Sequence, residues 1–253
     1  MTLTVRQFPC LSDNYGFLVR DDASGQTACV DTPEARAILA ALDEAGWKLD
    51  FIFNTHWHPD HAGGNAEIKT ATGCTIVGPT EVTRIAPLDR PVKGGDIVAL
   101  GETRFEVIET GGHTLGHIAY FDPASKTAFV GDTLFALGCG RLFEGKPDQM
   151  WASLSRLAAL PDETKVYCAH EYTASNARFA LSVDDAPVLK ARAGDVFAAR
   201  ERGEPTVPTT IGLEKATNPF LRAPLLAANV GKAGAPDYEA FAAVRAAKDA
   251  FKG

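Results

Sequence analysis

The chain has little of what would cross-link it or hold it in a bilayer. Its five cysteines, Cys10, Cys29, Cys74, Cys139 and Cys168, are odd in number and show no CxxC spacing, so neither a disulfide framework nor a thiolate zinc knuckle is indicated. No stretch approaches the roughly 18 apolar residues of a spanning helix. The start, M-T-L-T-V-R-Q-F-P-C, lacks the basic segment and unbroken apolar core of a secretion signal. GxGxxG does not occur, and the GxxxxGK match at Gly140 to Lys146 is followed by Pro147 instead of Ser or Thr, so no nucleotide-binding loop is indicated. Basic residues are also short: 25 Lys and Arg against 32 Asp and Glu leave a net charge of -7, which argues against a general binder of nucleic acid or anionic membrane. There is no internal repeat and no low-complexity tract beyond alanine enrichment. The expectation is a monomer with free thiols in the cytoplasm.

What is present is an ordinary core and an unusual set of histidines. With 253 residues, 45% hydrophobic and 23% charged, the chain has material for one large domain or for a large and a small one. All six histidines fall in three short segments, T-H-W-H-P-D-H over 55–61, G-H-T-L-G-H over 112–117 and A-H-E-Y over 169–172. Few purely structural roles ask for such clustering.

Each metal-capable group follows a short β-prone run: Phe51 to Phe53 before His56, Phe105 to Ile108 before His113, Thr127 to Val130 before Asp132, Val166 to Cys168 before His170. Such runs read as strands that end in loops, which gathers the candidate ligands along one edge of a sheet. Pro59 with Gly63 and Gly64 marks a tight turn. Helices are expected over Glu34 to Ala45, ending at Gly46, and over Asn65 to Lys69. Strands alternating with helices indicate an α/β architecture. After His170 strand-like runs disappear, and Ser175 to Ser182, Asp184 to Arg202, Thr209 to Ala216 and Asp237 to Phe251 read as a helical second domain.

His56, His58 and His113 offer the three imidazoles of an open catalytic zinc site, with water in the fourth position. Asp60, His61 and His170 offer a second set, and Asp132 can place one carboxylate oxygen on each metal. Two metals about 3.5 to 4 Å apart would share a hydroxide at neutral pH. The ions bring four positive charges; Asp60, Asp132 and the hydroxide remove three. The remaining positive charge favours an anionic tetrahedral intermediate, so the site is expected to hydrolyse an acyl compound. Zinc is the first expectation, with iron or manganese also compatible with such ligands.

T-H-W-H-P-D-H matches the HxHxDH motif of the metallo-β-lactamase fold, and it is joined by G-H-T-L-G-H, G-D-T-L-F and A-H-E-Y-T. Together with D-N-Y-G-F-L-V, G-C-G-R-L-F-E-G, N-P-F-L-R and V-R-A-A-K-D-A-F, these segments resemble the hydroxyacylglutathione hydrolase (glyoxalase II) family over nearly the whole chain. The resemblance implies a four-layer αβ/βα metallo-β-lactamase sandwich over 1–170 and a small helical glutathione-binding domain over 171–253. It implies a binuclear centre on His56, His58, His113, Asp132, Asp60, His61 and His170, with Asp60 and Asp132 catalytic through a metal-bridging hydroxide. The implied reaction is hydrolysis of the thioester S-D-lactoylglutathione to D-lactate and glutathione, the step that disposes of methylglyoxal. The family's glutathione-binding positions fall on Arg141, Phe143, Tyr172, Arg245 and Lys248. Arg141 and Phe143 stand where Lys and Tyr are usual, which keeps a charge and removes a hydroxyl.

A thioester suits this inventory because a thiolate leaves readily, its thiol having a pKa near 8.5, so no strong general acid need stand beside it. A same-fold alternative is a glutathione persulfide dioxygenase, whose mononuclear iron needs a subset of these ligands; a lactonase or another acyl hydrolase shares the fold. His117, four residues beyond His113, is expected to pack or hydrogen bond rather than ligate, and Cys139 and Cys168 to be buried as small hydrophobes. Glu171 and Asp162 read as solvated or supporting carboxylates.

Overall fold

The computed structural model describes residues 3–252. They form two compact units: one running to Glu109 and including Gly116–Gly131, the other combining Thr110–Leu115 with the chain from Asp132 onward.

The first unit contains β1 (Leu3–Cys10), β2 (Asn14–Asp21), β3 (Thr27–Val30), α1 (Ala35–Ala45), β4 (Phe51–Phe53), α2 (Pro59–Ala62), α3 (Asn65–Thr72), β5 (Thr75–Gly78), β6 (Arg90–Pro91), β7 (Ile97–Leu100), β8 (Thr103–Glu109), β9 (Ile118–Asp122) and β10 (Thr127–Gly131). Strands β1 to β6 make one sheet in sequence order, antiparallel from β1 to β3 and parallel from β3 to β6. Strands β7 to β10 form an antiparallel meander.

Alternation along the strands decides what each face of the first sheet packs against. Leu18, Cys29, Ile52 and Ile76 meet Ile38 and Leu42 of α1 and Ile68 of α3. Their neighbours in sequence point the other way: Phe17 packs on Phe129, and Phe53 on Phe105 and Tyr120, with ring centroids 5.3 to 5.9 Å apart. The unit is therefore a helix layer on a sheet on a sheet. Each of these fully buried rings contributes about 1.5–3 kcal/mol by leaving water. Helix α1 stops at Gly46, which takes the left-handed conformation (φ 64) that glycine adopts at least cost.

The second unit contains β11 (Leu134–Phe135), β12 (Gly138–Cys139), α4 (Pro147–Ala158), β13 (Lys165–Cys168), α5 (Thr173–Val183), α6 (Pro187–Glu201), β14 (Thr209–Thr210), α7 (Ile211–Thr217) and α8 (Asp237–Ala250). Leu137, Ala177, Ala180, Leu189, Ala193 and Val196 form one apolar cluster. The tight β11–β12 hairpin, with Leu137 at φ 57, is tied down by polar groups from the helices. Glu214 accepts from the Leu137 amide at 2.8 Å and is ion-paired to Arg192; Asn218 donates to the carbonyls of Phe135 and Gly138 at 3.1 and 2.9 Å, and Asn176 to that of Ala136 at 3.1 Å. Buried groups without these partners would each cost about 1–3 kcal/mol.

All four β-prone runs are strands, β4, β8, β10 and β13. Past His170 the expectation of helix alone needs correcting, because Thr209–Thr210 pairs with Lys165–Val166 as β14. Two β-branched residues after Pro208 favour extended backbone, and Thr210 then caps α7 by accepting from the Leu213 amide at 3.3 Å. The helix expected from Asp184 starts at Pro187 instead. A residue before proline is kept out of the helical region, while proline suits the first helical position. Among the described residues no helix is long and apolar enough to cross a membrane.

Candidate active site

In the first unit, His56, His58, Asp60 and His61 lie on the segment leaving β4 and on the short α2. Pro59 opens that helix and holds His58 in extended backbone (φ -59, ψ 149). Gly63 and Gly64 have ordinary right-handed helical dihedrals, so positive φ is not their role. They provide space: a Cβ on Gly63 would stand 2.4 Å from the Pro59 carbonyl oxygen, and one on Gly64 2.9 Å from that of Thr32.

Asp31, the residue after β3, organises this segment. Its carboxylate accepts from the Thr55 amide at 2.7 Å, from the Thr55 hydroxyl at 2.8 Å and from His61 Nδ1 at 2.8 Å. With its proton given to Asp31, Thr55 Oγ1 accepts from His56 Nδ1 at 3.0 Å. Nδ1 of both His56 and His61 is thereby the protonated nitrogen, and Nε2 of each presents a lone pair. His56 Nε2 and His58 Nδ1 are 3.1 Å apart, and His61 Nε2 is 3.6 Å from Asp60 Oδ2. Asn14 steadies Asp60 by donating to its carboxylate at 3.1 Å. His117, fully buried, stacks on His56 with centroids 4.8 Å apart, a packing partner as its spacing suggested.

In the second unit, Asp132 stands between two imidazoles. Its Oδ2 is 3.4 Å from His113 Nε2 and its Oδ1 3.3 Å from His170 Nε2. His113 Nδ1 donates to the Arg141 carbonyl at 2.8 Å, which again leaves Nε2 as the lone-pair nitrogen. Gly140 makes this approach possible, since a Cβ there would fall 1.9 Å from the Asp132 carbonyl oxygen. His170 stacks on Tyr172, with centroids 4.6 Å apart.

These separations fit metal ligands better than ion pairs. A charge-assisted imidazole–carboxylate bond closes to about 2.7–2.9 Å, whereas donors about 2.0–2.1 Å from one tetrahedral ion stand about 3.3 Å from each other. The donor set, imidazole nitrogens with two carboxylates, accepts a divalent ion such as zinc, iron or manganese.

A cavity of about 500 Å³ in the second unit is lined by His113 and Asp132 and also by Arg141, Phe143, Tyr172, Arg245 and Lys248. Arg245 is buried, donates from Nη1 to the Cys139 carbonyl at 3.0 Å and lies over the Phe220 ring. Lys248 donates to the carbonyl and hydroxyl oxygens of Ser175 at 3.1 and 3.2 Å. Burial, then the charges of Arg245, Arg178 and Arg141, push its ammonium pKa down to about 8. Phe143, 63% exposed, sets its ring edge to face against His113. Sequence reading missed Asp31 and Asn14, and in the second unit Glu214, which carries the hairpin beside Asp132. It set Glu171 among the solvated or supporting carboxylates. Glu171 supports: it accepts from the Thr206 amide and hydroxyl at 2.8 and 2.6 Å. Asp162 pairs with Lys215 at the surface.

The family model of the metallo-beta-lactamase superfamily matches residues 29–170, and that of the hydroxyacylglutathione hydrolase C-terminus matches residues 171–251. A hydroxyacylglutathione hydrolase of Maricaulis maris is 56% identical, covering 98% of this chain and 99% of its own; one of Erythrobacter litoralis is 55% identical, covering 98% and 100%. Among solved structures, ETHE1 from Myxococcus xanthus superposes with a TM-score of 0.68 at 28% identity over 97% of this chain and 98% of its own. TTHA1623, solved in a di-iron-bound form, gives 0.62 at 27% identity over 86% and 100%. The fold is the α/β metallo-β-lactamase fold with a C-terminal helical region.

Proposed function

Since the chain belongs to the hydroxyacylglutathione hydrolase family of the metallo-beta-lactamase superfamily, we propose that it hydrolyses S-D-lactoylglutathione to D-lactate and glutathione. The observation that carries this reading is a single cavity lined both by His113 and Asp132 and by Arg141, Arg245 and Lys248. Such a cavity suits a substrate that is a thioester in one part and a carboxylate in another.

His56, His58 and His113 with Asp132 would hold one divalent ion, and Asp60, His61 and His170 with Asp132 a second; zinc is the metal proposed, with iron or manganese as substitutes. When bound, the ions supply hydroxide at neutral pH and draw charge from the thioester carbonyl oxygen. The protein's part is to keep the lone pairs aimed: Asp31 and Thr55 fix the protons of His61 and His56 on Nδ1, and the Arg141 carbonyl does the same for His113. Arg245 and Lys248 would bind the glycine carboxylate of the tripeptide, each charge-assisted bond contributing about 1.5–3 kcal/mol where shielded. Arg141, Phe143 and Tyr172 would line the peptide part. The glutathione thiolate then leaves without a strong acid beside it.

We place the functional division at 170/171, with 1–170 catalytic and 171–253 binding glutathione; the boundary between the two family models supports it. Five unpaired, buried thiols support a reducing, cytoplasmic setting. A monomer is proposed, to be checked by sedimentation. The deciding experiment is thioester hydrolysis by metal-analysed protein beside oxygen uptake with glutathione persulfide. Turnover of the thioester with two ions per chain and no oxygen consumption is expected. Oxygen uptake without thioester turnover would replace this reading with the dioxygenase.

A further inference from the structure

The cavity's cations are accompanied by a carboxylate that the proposed reaction does not use. Asp249, on the last turn of α8 and 48% exposed at its side chain, accepts from Arg245 Nη2 through Oδ1 at 2.8 Å. The same oxygen stands 3.8 Å from Nε of Arg141. Arg245, only 6% exposed, lines the same cavity, and its buried Nε has no hydrogen-bond partner.

A guanidinium presents Nε and Nη2 along one edge, the fork that a carboxylate grips with both oxygens. Here Nη2 is taken by the protein's own carboxylate, and Nε is buried without a partner. Arg245 does not need Asp249 to stay in place, because the Cys139 carbonyl holds Nη1 and Phe220 lies beneath the guanidinium. We propose that Asp249 is an internal competitor of the substrate's carboxylate at Arg245: it occupies Nη2 in the empty cavity, yields it to the incoming carboxylate and reclaims it as product leaves. The inference rests on the glutathione assignment made above. Asp249 thus lowers affinity for substrate and product alike, which favours release once the thioester is cut.

The test is glutathione binding by calorimetry, with KM for S-D-lactoylglutathione, for the metal-loaded wild type, Asp249→Asn and Asp249→Ser. Work at about pH 6.5 keeps Lys248 protonated in all three. Each variant should bind glutathione about 2- to 5-fold more tightly, lower KM in step and depend more steeply on salt. The Asp249→Ser variant guards against an effect peculiar to the amide. Weaker binding in both variants would make Asp249 a positioning group for Arg245 and overturn the proposal. Unchanged binding would reduce it to a surface pair and overturn it equally. If the wild type neither binds glutathione nor cleaves its thioester, it is the glutathione assignment that fails.

Discussion

The imidazole of His170 and the phenol of Tyr172 lie parallel, their planes 5° apart and centroids 4.6 Å apart. The stack fixes the ring plane of a proposed ligand by means of a side chain that also lines the cavity. Tyr172→Phe keeps the stack, so metal content should hold while KM rises about 2- to 10-fold from the lost hydroxyl. Tyr172→Ala removes a contact of about 0.5–1.5 kcal/mol and should weaken metal retention about 2- to 10-fold, read by competition with a chelator.

Asp132 faces two imidazoles at once, one with each oxygen. Asp132→Ala should lower turnover by orders of magnitude and reduce bound metal from two ions per chain, both read on one sample by activity and elemental analysis. Fully active protein with a single ion would end the binuclear mechanism. Stripping the metal from wild type should abolish hydrolysis, and adding zinc should restore it.

Arg245 and Lys248 would grip a carboxylate remote from the bond that breaks, so their contribution is felt alike in ground and transition states. Each alanine replacement should raise KM about 5- to 50-fold and leave kcat nearly unchanged. High salt should raise KM for the wild type and do so less for the double variant.

The depressed pKa of Lys248, about 8, gives KM a pH dependence of defined sign. Below that value the ammonium is charged and binds the carboxylate; as pH rises through it the charge is lost, and KM should climb. For stability the direction is opposite. Between the folded value near 8 and the ordinary lysine value of 10.5 the unfolded chain holds the extra proton, so stability from this group increases with pH there. Lys248→Arg should flatten the KM profile across the same window.

The cysteines should be slow to react in the folded protein. Burial pushes the thiols of Cys10 and Cys168 up to about 12 and that of Cys139 to about 11, and thiolate is the reactive form. Native protein should show no rapidly titrating thiol, and denatured protein all five. A fast-reacting thiol at neutral pH would contradict this environment.

The candidate ligand segments are legible in the sequence because histidines follow β-prone runs, and a strand of three or four residues such as Phe51–Phe53 needs only local propensity and burial to form. Asp31 is not legible. It is a single carboxylate after a strand, and its role appears only when the parallel pairing of β3 with β4 brings Thr55 to it. Glu214 is hidden for a related reason. Between Leu213 and Lys215 it reads as a solvated helix residue, yet it is fully buried because Arg192 comes from another helix to meet it. Gly63 and Gly64 are visible as glycines, but their reason is a carbonyl oxygen four residues back and another from Thr32. Such approaches are properties of the packed chain rather than of any window of sequence.

The six residues Thr110–Leu115 belong to the second unit although the chain on both sides of them builds the first. Within that unit Gly112 faces Met150, and its carbonyl accepts from the Gly145 amide at 3.0 Å. During synthesis the strands of the first unit are complete once Gly131 has emerged, while His113 waits on a loop for partners that are still to be made. Asp132, which faces His113, follows directly after the last strand of the first unit. No single cut of the backbone divides the molecule into its two units, so neither can be obtained whole as a continuous fragment.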